Sequence, residues 1–140
     1  MRAPFNATHL NAMTPTEEAR RGLSVPGAAE VLERLAVMGT CDTILTDDAR
    51  EVLGVVAAFP VAPGKCEALI ISSEEQKRHP LVFVRGVRDA LATIRQHFGT
   101  IQALGEDAPF YDRWLSWLGF SRREALTVNG IKMTMWEMSA

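Results

Sequence analysis

The stretch Cys66-Glu-Ala-Leu-Ile-Ile-Ser-Ser73, then Glu74-Glu-Gln-Lys-Arg-His79, then Pro80 onward to Gly99, decides the fold. An apolar run of strand length leads into a charged loop, and the loop leads into a helical pattern. Val84, Val87, Leu91, Ile94 and Phe98 recur at three- and four-residue steps, which makes one apolar stripe. Pro80 suits a first helical turn, where a missing N–H costs nothing. Gly99 stands where a left-handed cap would end the helix, and Gly86 is the weak point inside it. In an open α/β sheet a ligand is held at the carboxyl end of a strand, against the first amides of the next helix. The functional question is therefore whether the loop before Pro80 can hold a phosphate.

The bulk numbers narrow the classes. A chain of 140 residues is expected to form one domain with a substantial core. A net charge of −2 gives no broad electrostatic reason to expect nucleic acid. Cys41 and Cys66 have no ligand-like spacing and read as small buried hydrophobes. His9, His79 and His97 lie far apart with no ligand-spaced partner, so no metal site is expected. Ser72 and Ser73 have no recognisable His partner, so no hydrolase triad is supported. No apolar run approaches the ~20 residues of a membrane span. The N-terminus lacks the apolar core of a signal peptide, which leaves a reducing, cytoplasmic setting as the expectation.

The flanking elements follow in order. Arg2-Ala-Pro-Phe can form a short edge strand. Thr14-Pro15-Thr16-Glu17 reads as a capping box, with a short helix running to about Arg21. Pro26 opens a second helix whose inner face is Ala28, Val31, Leu32 and Leu35, ended by Gly39. Thr43 to Thr46 is a strand and Asp47-Asp48 a turn. Glu51 to Phe59 is apolar almost throughout, as in a central strand covered on both faces. Pro63-Gly64 turns the chain into the organising strand. After the long helix, Thr100 to Gly105 is a strand parallel to the organising one, reached by a right-handed crossover. Asp107 caps a helix with Phe110, Trp114, Trp117 and Leu118 on its apolar side. Asn129-Gly130 is a strong hairpin signal before a closing strand, Ile131 to Glu137.

The expected class is a mixed α/β domain with a mostly antiparallel sheet and helices on both faces. Its order is α-α-β-β-β-α-β-α-β-β after a short first strand. This order, with Trp114-Leu-Ser-Trp-Leu-Gly-Phe120 at the late helix-to-strand junction, resembles the GNAT family of acetyl-CoA-dependent N-acetyltransferases. The resemblance implies that backbone groups of Leu69, Ile70 and Ile71 pair with the pantetheine arm of acetyl-CoA. One of their amides would polarise the thioester carbonyl. It implies that Gln76, Lys77, Arg78, His79 and Leu81 occupy the diphosphate loop. The family pattern there is Arg or Gln, two residues, Gly, one residue, then Gly or Ala. Such small residues let amides close on a diphosphate. No register of this loop restores a glycine, and Pro80 removes an amide. The family's Tyr acid falls at Leu115, leaving Tyr111, one turn earlier, as the candidate acid. Glu67, Glu106 and Asp107 are the candidate bases.

The carboxyl-terminal half is similar to the GNAT-like internal virion protein of T7-type podophages. The shared features are a basic long helix, a short helix ending in an aliphatic residue and Gly, an Asn-Gly turn and a closing apolar strand. That likeness implies a phage protein that is virion-associated or needed for assembly, with protein partners, from the phage or a second copy. It would act in the host cytoplasm or in the particle and need no cofactor. The alternative is a divergent N-acetyltransferase using acetyl-CoA.

Overall fold

The computed structural model describes residues 1–106 and 109–139, and for residues 106 and 109–111 the backbone only. Among the described residues seven strands form one sheet in the order β1-β2-β3-β4-β5-β7-β6. The strands are β1 (Arg2–Pro4), β2 (Cys41–Leu45), β3 (Val52–Ala62), β4 (Lys65–Ser72), β5 (Thr100–Glu106), β6 (Ser121–Val128) and β7 (Ile131–Ser139). The helices are α1 (Thr8–Asn11), α2 (Glu17–Leu23), α3 (Ala28–Val37), α4 (Pro80–Arg95) and α5 (Pro109–Leu118). A 3₁₀ turn, Glu74–Arg78, joins β4 to α4. β4 and β5 pair in parallel, as a helical crossover requires, whereas β1–β2, β2–β3, β5–β7 and β6–β7 are antiparallel. The expected mixed class and element order hold, with α1 as an addition.

The described chain divides into two compact units: residues 1–59 with 70–94, and residues 60–69 with 95–140. In the first unit the all-apolar run Val52 to Ala58 is buried throughout, so β3 is covered on both faces. Alternate residues serve the two sides. Val55 and Ala57 join Leu32, Leu35, Phe5, Met13 and Ala19 in one core cluster. Gly54 faces the other way, where a Cβ would stand 2.7 Å from the Phe83 ring of α4 and from the Ile71 carbonyl. The same economy governs α4. Its buried line is Phe83, Gly86, Val87, Ala90, Leu91 and Ile94. Gly86 is thus a contact point rather than a weakness, because a Cβ there would lie 2.5 Å from Ile44 Cγ2.

In the second unit α5 buries Leu115 and Leu118, and β7 buries Thr134, Trp136 and Met138. Asn129 (φ 51) and Gly130 (φ 80) both take the left-handed conformation that a tight two-residue hairpin needs. β6 is the outermost strand and is exposed at every residue but Leu126.

Several local expectations are corrected. The α2 cap is Thr16, whose hydroxyl accepts from the Ala19 amide, and not Thr14. The side chain of Thr14 is engaged elsewhere, with Glu75. α3 starts after left-handed Gly27, and Val31 is exposed because Leu32 and Leu35 set the inner line. α4 ends at Arg95, before Phe98, and Gly99 is not left-handed. Trp117 is 50% exposed while Leu115 is 3% exposed, so the inner face of α5 is rotated from the expected aromatic one. Asp107 lies outside the described residues.

Candidate functional site

The site implied by the sequence is the connection from β4 to α4, all of it within the first unit from Ile70 onward. Ile71 and Ser73 are buried, Ile70 is half-buried and Leu69 is exposed. The alternation of β4 points Ile71 into the core and leaves the strand's backbone as its chemical offering. Parallel pairing with β5 runs from Lys65↔Thr100 to Ala68↔Ala103, and β4 continues for four residues past that last pair.

The loop then turns in on itself. Ser73 N donates to Leu53 O (3.0 Å), Glu74 N to Thr14 O (2.7 Å), Gln76 N to Ser73 O (3.2 Å) and His79 N to Gln76 O (3.1 Å). Pro80 has no N–H to give. His79 O accepts from Phe83 N at 3.0 Å, which starts α4. The 3₁₀ geometry follows from Ser73 in extended backbone followed by five polar residues that need no core contact.

The loop's side chains are also engaged. Lys77 Nζ pairs with the Glu74 carboxylate. Arg78 Nη2 pairs with Glu51 Oε1, and His79 Nε2 lies 2.8 Å from Glu51 Oε2. Glu75 accepts from the hydroxyls of Ser73 and Thr14, the latter at 2.8 Å, and from Thr14 N at 3.3 Å. These bonds, the Ser73 hydroxyl foremost, pull the Glu75 carboxyl down to about 2. Thr16 N donates to Ser72 O, and Pro15 bridges Ser73, so the α1–α2 connection is stitched to this loop.

The expected residues divide as follows. Gln76, Lys77, Arg78 and His79 share the 3₁₀ turn or its end. Leu81 is in the first turn of α4 and is 68% exposed. Leu69, Ile70 and Ile71 lie directly upstream. Glu67 belongs to the second unit, where Oε1 accepts from Gln102 Nε2 at 2.9 Å across the parallel pair. The side chains of Tyr111 and Glu106 lie outside the described residues, as does all of Asp107. Leu115, at the family's Tyr position, is buried.

The residues that sequence reasoning missed are Glu51, Thr14 and Glu75. Glu51 lies 27 and 28 residues from its partners, and Thr14 lies 61 from Glu75. Only the polar character of the turn before β3 could have hinted at the first of these. Among the described residues no group of three or more His, Cys, Asp or Glu could hold a metal ion. None of the helices among them is long and apolar enough to cross a membrane. A shallow depression of about 280 Å³ lies elsewhere, on the β6–β7 hairpin, lined by Ala125, Leu126, Thr127, Lys132 and Met133.

The architecture is that of the GNAT acetyltransferases. A phosphinothricin acetyltransferase of that superfamily from Sinorhizobium meliloti, solved with AcCoA, superposes with a TM-score of 0.74 at 16% identity over 99% of this chain and 87% of that one. A GNAT-family acetyltransferase from Bacillus anthracis gives 0.70 at 9% identity, over 99% and 93%. An acetyltransferase from Bacillus subtilis, solved with CoA, gives 0.59 at 17% identity, over 89% and 93%. No protein-family model and no curated protein matches the sequence. The likeness is one of fold, and fold alone does not confer an activity.

Proposed function

We propose that this chain is a GNAT-fold interaction protein of phage type, virion-associated or needed for particle assembly, that does not depend on acetyl-CoA. One observation carries the reading: the β4–α4 connection spends several of its amides and its charged side chains on the protein itself. A diphosphate is gripped by several amides aimed at one point with no Cβ between them. Here the amides of Glu74, Gln76 and His79 donate to carbonyls, Pro80 contributes none, and Lys77, Arg78 and His79 each face a carboxylate. With those contacts in place the loop does not fit a diphosphate. The phage-type role rests on the likeness of the carboxyl-terminal half to the podophage virion proteins. The exposed Val128 and Ile131 of the hairpin would suit a protein contact.

Titration calorimetry with acetyl-CoA tests the first half of this reading. The expected result is no saturable heat at millimolar ligand, and micromolar binding weakened by salt would overturn it. Sedimentation of phage particles and assembly intermediates tests the second half. The chain should travel with them, and its confinement to the soluble fraction would count against the proposal.

The second reading is an active N-acetyltransferase. It is favoured by the GNAT architecture and by the four residues of β4 that run past the last β5 pair. In that reading Leu69, Ile70 and Ile71 present backbone to the ligand, and Gln76, Lys77, Arg78, His79 and Leu81 line its phosphate end. Glu67 holds the amine's proton and Tyr111 serves as the acid. Glu67 would first have to leave Gln102.

A further inference from the structure

Within the first unit, the role of Glu51 is one that neither reading states. Glu51 immediately precedes β3, and its carboxylate takes Arg78 on one oxygen and His79 on the other. This arrangement is built rather than casual. The β2–β3 turn fixes Glu51 on both sides of its backbone: its amide donates to Thr46 Oγ1 (3.2 Å) and its carbonyl accepts from Thr46 N (3.1 Å). Asp48 braces the same turn, accepting from Thr46 Oγ1 at 2.6 Å and from Arg50 N at 3.1 Å. On the other side, His79 is the last residue before α4 and its carbonyl accepts the helix's early amide from Phe83.

A guanidinium and an imidazole beside the start of a sixteen-residue helix are what an anion selects. The chain supplies the anion itself. We propose that Glu51 is an internal counter-anion: its carboxylate occupies the Arg78 guanidinium and the His79 ring and closes them to a phosphate-bearing ligand. The inference rests on the account of the loop given above and names the residue that keeps the loop self-satisfied. It also gives the loop a way to open, since an exposed ion pair is weak and a multivalent phosphate can compete with it.

The test compares binding of inorganic pyrophosphate to the wild-type chain, Glu51→Gln and Glu51→Gln/Arg78→Ala by calorimetry at low salt. Removing the carboxylate ends a competing contact and a repulsive charge. Glu51→Gln should therefore bind roughly three- to tenfold more tightly than wild type, and the double variant should lose that gain. No gain in a Glu51→Gln protein that melts like wild type overturns the inference. So does a gain that survives loss of Arg78. Should Glu51→Gln melt early, the comparison is made below its melting temperature on the His79 ring resonances. They should shift saturably at lower pyrophosphate in Glu51→Gln than in wild type, and equal shifts in the two overturn the proposal. Failure of the scaffold reading is seen separately, as acetyl-CoA binding by the wild-type chain, and leaves the comparison with Glu51→Gln intact.

Discussion

Gly86 shows how one hydrogen in place of a methyl sets a helix's position. Its sequence context suggests a defect, since glycine inside a helix costs about 1 kcal/mol against alanine. In the fold an added Cβ would meet Ile44 Cγ2 at 2.5 Å and Cδ1 at 3.1 Å. Cγ2 sits on a β-branched carbon whose χ1 is stiff, so it cannot swing clear as a chain end would. Gly86→Ala is therefore expected to be destabilising, with overpacking of about 1–3 kcal/mol outweighing the propensity gain. A urea midpoint below wild type is the expected result. A raised midpoint would show that Ile44 yields. This part of the fold was only half legible in the sequence. The period of α4 and its proline start are local and could be read, whereas the reason for Gly86 lies 42 residues away on β2.

At the scale of the element, the turn after β4 is held by Glu75 as much as by its backbone. Its carboxyl is held at about 2 in the folded chain against an ordinary 4.5, chiefly by the Ser73 hydroxyl. A depressed carboxyl contributes its stability fully above its unfolded value and loses it as the pH falls toward the folded one. The stability difference between wild type and Glu75→Gln should thus be constant above about pH 5 and shrink between pH 4.5 and pH 2. Urea melts across that range check it, and a difference independent of pH would refute it. The contrast with the hairpin is instructive. Asn129-Gly130 announced itself because two adjacent left-handed residues fix a turn with no outside help. The β4–α4 turn depends on Thr14 and Glu51, which no local pattern links to it. The rotation of α5 was hidden for a different reason: leucines and tryptophans surround that helix, and packing chose Leu115 over Trp117.

For the molecule as a whole, element order was the legible quantity, and it sufficed for the GNAT architecture. The Asn-Gly turn, the doubly buried β3 and the long β4–α4–β5 crossover leave few topologies open. What the order could not convey was which side chains meet. Cys41 and Cys66 offer a measurement on that scale, because one lies in each compact unit. They are 1% and 0% exposed, and burial raises the thiols to about 12 and about 11. Neither should react with iodoacetamide at neutral pH in the folded chain. β3 and β4 each contribute residues to both units, so the two sulfurs should become reactive at the same urea midpoint. Labelling of one well before the other would show that the units open separately. The burial of both thiols also governs behaviour under oxidative stress. Peroxide or diamide has no thiolate to attack on the intact chain, so any disulfide-linked species recovered after such treatment must have formed from molecules already opened.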